Sequence, residues 1–447
     1  MTRALLLLAV LATWASDAAA HGRDPYATRI HVRAGDEQHV IAGMTIGLVV
    51  SKDGGATWRW TCEEALHYAD PFDPDYAIGA DGAVLVQSHG GAWIDRDTCS
   101  FEHAIATPVV SAVAAGPDGA LYIAAADASD STIYKSTDGG VVFAATATPG
   151  QPGDTWTSIE VAPADSQRVY LAGFRYTARL DKELFLFVSR DGGASFDPMA
   201  TAGFTFSSSS LIEIAGIGPA AETVYALVRF ETDFGGDAIY RSTDAGESWT
   251  RIFSSMDPYG LAFLARKSGE LVAATRTSGA WRSTDGGMTW TALPSPPHIS
   301  TLVEREGGEV WAGTQSRLFM QGSLPPVPAD GHAIMKSTDL ATWTPVFTLE
   351  NLGPPACAAG TPVHQECVAT ERDLGTAWCC LVAQLDLVST EVDCTGARAC
   401  GGVDTVVAGD VTVPPPKGCC QTGSGGGATG FLLALALLLR ASPRQRR

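Results

Sequence analysis

The sequence predicts an all-β fold, a β-propeller of seven blades, from a repeated signature, its spacing and the strand-like segments between its copies. The signature reads Ser-x-Asp-x-Gly-x-Thr-Trp, and its clearest copies are residues 51–58 and 283–290. Successive copies lie 41 to 54 residues apart, which is close to the length of one four-stranded blade. One aspartate marks each copy: Asp53, Asp97, Asp138, Asp191, Asp244, Asp285 and Asp339.

These seven aspartates are expected to be structural. Aspartate followed by Gly-Gly or Ala-Gly is a hairpin-turn sequence, in which the carboxylate accepts turn amides and glycine tolerates positive φ. The Trp or Phe that ends each copy is expected to begin the fourth strand and to fill the seam between blades. The carboxylates lie on separate blades and do not converge on one ion, so we predict no metal site and no cofactor.

The signature resembles the Asp-box, or BNR repeat, of sialidases, sortilin-type receptors, photosystem II assembly factors and some glucanases. The resemblance covers about two thirds of the chain, and the propeller is predicted over residues 25–350. It implies the propeller fold and leaves the function open.

Both ends of the chain predict export. Arg3, an apolar run and Ala18-Ala19-Ala20 form a secretory signal peptide over residues 1–20. At the other end, residues 418–447 hold Cys419 and Cys420, a short apolar run and an arginine-rich tail. This tail resembles the MYXO-CTERM sorting signal, which implies a sorting protease and lipid anchoring at the cell surface or outer membrane. An ordinary C-terminal membrane anchor, or release into the medium, is the alternative.

A cysteine-rich segment follows the last blade. Six cysteines at residues 357–400 predict a small domain over 354–401 with about three disulfide bonds, whose pairing is not deducible. A zinc site is the alternative, which the absence of a paired histidine disfavours. Cys62 and Cys99 are expected to join blades 1 and 2 if they are bonded. Residues 402–417 are proline-rich and predict a linker.

Net charge and loop length narrow the range of possible functions and locate the expected functional surface. A net charge of −19 argues against nucleic-acid binding. The connections between second and third strands are long in blades 4, 5 and 7, at residues 175–184, 230–237 and 315–332. Since long loops on a rigid scaffold usually carry binding residues, we expect the functional surface over blades 4–7.

Arg175, Arg229 and Arg276 end the second strands of three consecutive blades on that face, with Tyr176 beside the first. Converging guanidinium groups hold carboxylate or sulfate in bidentate fashion, so this set predicts a site for an acidic glycan. The alternative is that each arginine pairs with a local acid, such as Glu231 or Asp233.

Two inner-strand glutamates, Glu160 and Glu213, align between blades 4 and 5 and are the candidate catalytic acids. The alternative is that they are structural and bonded to a neighbouring backbone. Sialidase motifs are matched only partly, by Arg29-Ile30-His31 without the expected proline.

We therefore predict a surface-anchored, non-catalytic propeller that binds an acidic glycan or an extracellular protein. The alternatives are an exo-acting glycoside hydrolase, sialidase-like or glucanase-like, and an assembly or adhesion scaffold.

Overall fold

The computed structural model describes residues 25–395 apart from 69–72, 89, 106–109, 127–130, 178–180, 233–234, 322 and 370–375. Seven antiparallel sheets of four consecutive strands follow one another along the chain. The seven-bladed propeller predicted from the sequence is confirmed. The signal peptide, the linker, Cys419 and Cys420 lie outside the described residues.

The strands of blades 1 to 4 are β1 (Ala27–Arg33), β2 (Asp36–Met44), β3 (Gly47–Ser51), β4 (Trp58–Thr61), β5 (Tyr76–Ile78), β6 (Val84–Ser88), β7 (Gly91–Asp95), β8 (Glu102–Ile105), β9 (Val110–Ala115), β10 (Leu121–Ala126), β11 (Ser131–Ser136), β12 (Ala144–Ala147), β13 (Thr155–Ala162), β14 (Asp165–Tyr176), β15 (Lys182–Ser189) and β16 (Asp197–Pro198). The strands of blades 5 to 7 are β17 (Leu211–Ile217), β18 (Val224–Arg229), β19 (Asp237–Ser242), β20 (Thr250–Ser255), β21 (Leu261–Ala265), β22 (Leu271–Thr275), β23 (Ala280–Ser283), β24 (Thr291–Ala292), β25 (Thr301–Glu304), β26 (Val310–Gly313), β27 (Ile334–Ser337) and β28 (Thr344–Phe347).

The first strand of each blade lines the central channel, and the second strand is the core of the blade. Strands β10, β22 and β26 are buried along their whole length. Their alternate side chains face the two neighbouring blades, so small and β-branched residues dominate both faces. This packing fixes the positions of the inner strands that form the channel.

The aspartate turns connect the third and fourth strands, on the lower face of the disc. In blade 6, Ser283 donates to Asp285 (2.8 Å) and accepts from the Gly287 amide (2.8 Å). Asp285 also accepts the Thr289 amide (2.9 Å) and hydroxyl (2.6 Å). The Thr289 hydrogen bonds, followed by that of Ser283, lower the pKa of Asp285 to about 2. The carboxylate therefore makes its hydrogen bonds within its own turn.

The aromatic residue that ends each turn reaches the preceding blade. The Trp290 indole donates to the Ile252 carbonyl of blade 5 (2.8 Å), and the Trp249 indole donates to the Ala200 carbonyl of blade 4 (2.9 Å). Trp58 packs on Phe347 of blade 7 with ring centroids 5.0 Å apart. These contacts fill the seams between blades and help to close the ring.

Short elements follow the propeller. Residues Leu352–Gly353 form β29, which adds in parallel to β4 at the outer edge of blade 1. The helices are 3-10 turns at Glu64–Leu66, Glu306–Gly308 and Leu349–Asn351, α-helices at Pro362–His364 and Ala377–Gln384, and a π-helical turn at Gln365–Ala369. Within the described residues, no helix has the length and apolar character needed to span a bilayer.

The disulfide pattern corrects two expectations. Cys62 bonds to Cys367 and Cys99 bonds to Cys357, so the two propeller cysteines do not bond to each other. The cysteine-rich segment is therefore not closed on itself by three bonds, although Cys379–Cys394 is internal to it. The reason is topological: after blade 7 the chain returns along blades 1 and 2, which brings its first cysteines beside Cys62 and Cys99.

Candidate functional site

The central channel is the candidate site. It is a cavity of about 750 Å³ to which the inner strands of all seven blades contribute. It extends from Tyr26 and Tyr259 on the upper face, where the long loops lie, to Pro117 and Pro163 at the turns of the lower face. A polysaccharide enters such a channel only by a chain end, because the seven blades surround it on every side.

Four titratable side chains from four blades meet in this channel. Arg29 of blade 1 lies 3.9 Å from Asp75 of blade 2 and 3.8 Å from Glu213 of blade 5, measured from guanidinium nitrogen to carboxylate oxygen. Glu160 of blade 4 lines the same cavity. Within the described residues no cluster of three His, Cys, Asp or Glu side chains is arranged to hold a metal ion.

Glu213 is held in the ionised form. Its carboxylate accepts from Arg229 at 2.9 Å, and Arg229 also donates to Asp237 at 3.1 Å. Burial alone raises the pKa of Glu213, but the charges of Arg229 and Arg29 outweigh burial and lower it. At neutral pH, Glu213 therefore carries a negative charge and is suited to act as a base.

Glu160 is held in the protonated form. No hydrogen bond or ion pair reaches its carboxyl within the described part of the chain, and the side chain is exposed to the channel. The surrounding walls separate it from bulk water, and this burial, together with the negative charge of Asp75, raises its pKa to about 8. A carboxyl group that keeps its proton at neutral pH is suited to act as an acid.

The two glutamates lie at different depths. The serines that begin the aspartate turns mark the same level in each blade. Ser189 pairs with Val169 in blade 4, and Ser242 pairs with Val224 in blade 5. Glu160 pairs with Tyr170, one residue above Val169, whereas Glu213 pairs with Leu227, three residues above Val224. Glu160 is therefore two residues deeper, roughly 7 Å along the strand.

The sequence analysis aligned the two glutamates at equivalent positions, and this offset corrects that alignment. Blade 5 has a register shift between Ile214 and Gly216, and its inner strand continues to Ile217 below Glu213. In blade 4 the inner strand ends at Ala162, two residues after Glu160. Blade 4 has a register shift of its own, between Val161 and Ala162, and neither irregularity changes the strand-like sequence pattern, so the sequence alignment did not show the offset.

Asp75 was missed by the sequence analysis, since it precedes the short strand β5 and belongs to no motif. Burial raises its pKa, and the charge of Arg29 opposes that rise. One carboxylate oxygen of Asp75 accepts the Val113 amide of blade 3 (3.2 Å), and the other accepts the Tyr76 amide (3.1 Å). Asp75 is thus fixed by backbone contacts, whereas neither Glu160 nor Glu213 accepts a backbone amide within the described residues.

The three arginines occupy the predicted strand ends but do not form an open anion site. Arg175 is paired with Asp154 (2.9 Å) and lies over the Phe185 ring. Arg229 is bonded to Glu213 and Asp237, as described above.

Arg276 is buried, with its guanidinium 4.0 Å from the Tyr26 ring centroid and 5.2 Å from those of Tyr259 and Phe319. Of the predicted set, Arg229 and Arg276 line the channel, and Arg175 and Tyr176 do not. The expectation of three convergent guanidinium groups is therefore corrected. Arg175 and Arg229 are paired with acids of their own blades, whereas Arg276 lies against rings from blades 1, 6 and 7.

The chain is similar to known proteins over part of its length. No family model matches the chain. A xyloglucanase of Paenibacillus sp is 24% identical over 246 residues, which is 48% of this chain and 22% of the relative. A xyloglucanase of Hypocrea jecorina (strain QM6a) is 26% identical over 263 residues, 56% of this chain and 29% of the relative. The chain thus spans about a quarter of the length of these curated relatives.

Solved structures are also similar. The GH74 xyloglucanase from Xanthomonas campestris has a TM-score of 0.48 and 16% identity, over 71% of this chain and 58% of that one. YCF48 from Cyanidioschyzon merolae has a TM-score of 0.42 and 16% identity, over 65% of this chain and 92% of that one.

The leading prediction from the sequence, a non-catalytic binding propeller, is therefore wrong. The curated relatives are glycoside hydrolases, and they favour the glucanase-like alternative.

Proposed function

We propose that this protein is an exo-acting glycoside hydrolase whose reaction takes place in the central channel. The observation that carries the proposal is the pair of channel glutamates, of which Glu213 is ion-paired and Glu160 makes no hydrogen bond or ion pair within the described residues. When the environments of two carboxyl groups keep one protonated and the other ionised, the pair provides the acid and the base that glycosidic bond cleavage needs. The xyloglucanase relatives support a glucosyl unit as the sugar that is cleaved.

In this mechanism Glu160 donates its proton to the glycosidic oxygen, and the bond from that oxygen to the anomeric carbon breaks. Glu213 removes a proton from a water molecule, which attacks the opposite side of the sugar. The two strand positions are offset by roughly 7 Å along the ladder, and the attack by a water held between the two carboxyl groups makes this an inverting mechanism.

The test is hydrolysis of xyloglucan oligosaccharides and of simple glucosides by the purified full-length chain. We expect release of sugar from chain ends and a product of inverted configuration, seen by proton NMR at early times. Glu160→Gln and Glu213→Gln are each expected to lower kcat by at least about 100-fold with an unchanged melting temperature. Full activity in both variants would refute the assignment of the site.

We also propose that the repeats are Asp-box repeats and that the protein is exported and anchored by its C-terminal tail. The turn geometry supports the first part. The disulfides Cys62–Cys367 and Cys99–Cys357 support the second part, since such bonds persist in oxidising compartments. Replacing Cys419 and Cys420 with alanine should move the protein from the membrane fraction to the soluble fraction. Unchanged fractionation would reject the lipid anchor.

A further inference from the structure

The channel changes chemical character with depth. Its upper half, level with Glu213, contains the charged side chains of Arg29, Asp75 and Arg229. Its lower half is the part at and below the level of Glu160. Apart from Glu160 and His31, its principal side chains are apolar: Val32, Ile78, Pro117, Val161, Pro163 and Val303.

His31 does not make the lower half charged. Burial, reinforced by the charge of Arg29, lowers the pKa of His31 to about 4, so its imidazole is neutral above that pH. Glu160 is also neutral up to about pH 8. Near neutral pH the lower half therefore presents an uncharged wall to a ligand.

The order of the two glutamates sets the direction of the substrate. A general acid lies beside the oxygen of the leaving group, and a general base lies on the opposite side of the sugar ring. Because Glu160 is deeper than Glu213 by two residues of the ladder, the leaving group lies deeper than the sugar that is attacked.

We propose that the lower half of the channel is a leaving-group site for an apolar aglycone, an alkyl or aryl group attached to the sugar. This inference rests on the proposed function and names its substrate class. The sugar lies in the upper half, where charged and polar groups meet its hydroxyl groups. The apolar group lies against Val32 and Val303, where its removal from water favours binding.

The bond changes balance without a further reactant. The proton of Glu160 goes to the glycosidic oxygen, the electron pair of the broken carbon–oxygen bond stays on that oxygen, and the aglycone leaves as an alcohol. Water supplies the new oxygen at the anomeric carbon, and its proton passes to Glu213. The cavity extends from the upper face to the turns of the lower face, so we place release of the alcohol at the lower face and of the sugar at the upper face.

The experiment compares methyl, butyl and hexyl glucosides with cellobiose, using the full-length chain. The alkyl alcohols have similar acidity, so a change in rate along the series reports contact with the apolar group and not its chemical reactivity. We expect kcat/KM to rise at least about tenfold from methyl to hexyl, and cellobiose to be cleaved no faster than the methyl glucoside.

Two variants locate the effect. Val303→Thr keeps the shape of the side chain and adds a hydroxyl to the lower half, so it should flatten the dependence on alkyl length. Thr28→Val, in the upper half, should leave that dependence unchanged. Val32→Thr is the substitute if Val303→Thr does not fold.

The outcomes separate the two claims. Hydrolysis with a flat or reversed dependence on alkyl length, or with a preference for cellobiose, overturns the leaving-group site and leaves the proposed hydrolase standing. A chain that cleaves none of these substrates and no xyloglucan oligosaccharide overturns both. A length dependence that Val303→Thr and Val32→Thr both leave intact places the apolar group elsewhere and also overturns the inference.

Discussion

The acids of the aspartate turns and the acids of the channel are the same functional group in two opposite environments. Asp244, Asp285 and Asp339 lie at the surface in turns whose amides and hydroxyls bond their carboxylates, and the pKa of each is lowered to about 2. Glu160 lies in the channel without such donors, and its pKa is raised to about 8. The turn acids are satisfied within their own segment, whereas the channel acid is not.

This contrast separates the residues that build the fold from those that are available for chemistry. A repeated acid with its own donors stabilises a turn and has no capacity left for a substrate. A single acid without donors is costly to keep in a folded protein, and such residues concentrate at functional sites. The predictions below test this separation.

The largest effect is expected from the channel acid. Glu160→Gln should lower kcat for alkyl glucosides by about 100-fold or more, because the leaving alcohol then lacks a proton donor. Asp285→Asn is the matched change at an aspartate turn and should leave kcat unchanged. Steady-state kinetics of both variants make the comparison, and equal losses would remove the distinction between the two kinds of acid.

The pH profile should reflect the channel pair. Glu160 acts while protonated, so kcat/KM should fall as the pH rises through about 8. Glu213 acts while ionised, so kcat/KM should fall as the pH drops through its lowered pKa, below the ordinary glutamate range. Ordinary carboxyl groups and histidines titrate below about pH 7. A profile that already declines between roughly pH 5 and 7 would therefore contradict the assignment.

A smaller effect is expected from the cation beside the base. Arg229→Gln removes the ion pair at 2.9 Å, so the pKa of Glu213 should rise and the acid limb should move to higher pH. A shift of about one pH unit lowers kcat/KM about tenfold on that limb. Arg190→Gln, which breaks an exposed pair with Asp197, is the control and should change neither limb.

The smallest effect on activity is expected at a turn. Ser242 is buried, donates to Asp244 and accepts the Gly246 amide at 2.8 Å. Ser242→Ala leaves that amide without its acceptor and should lower the free energy of unfolding by about 1–3 kcal/mol, with kcat/KM unchanged. Chemical denaturation measures the loss, and the exposed Ser248→Ala in the same turn should lose less.

Much of the fold was predictable because its repeat is local. In blade 5 the alternating or β-branched segments 211–215, 224–229, 238–242 and 248–253 predict four strands, and these match β17 to β20 to within about two residues at each end. The turn signature and the alternation of apolar residues both act over fewer than ten residues, so the sequence displays them directly.

The site was less predictable because it depends on register and on long-range contacts. Glu160 and Glu213 were identified as candidates, but their offset depends on the pairing register of both inner strands, Glu160 with Tyr170 and Glu213 with Leu227. The partners of Arg175 and Arg229 include Asp154 and Glu213, which lie 21 and 16 residues away along the chain. Asp75 carries no motif and became visible only once blades 1 and 2 were placed side by side.

The central claim is that Glu160 supplies the proton to the leaving group, and one measurement tests it most directly. It is the rate of the Glu160→Gln variant on dinitrophenyl glucoside, whose leaving group departs without protonation, beside its rate on hexyl glucoside. The account predicts a rate within about tenfold of the wild type on the first substrate and a loss of about 100-fold or more on the second. Equal losses on the two substrates would contradict it.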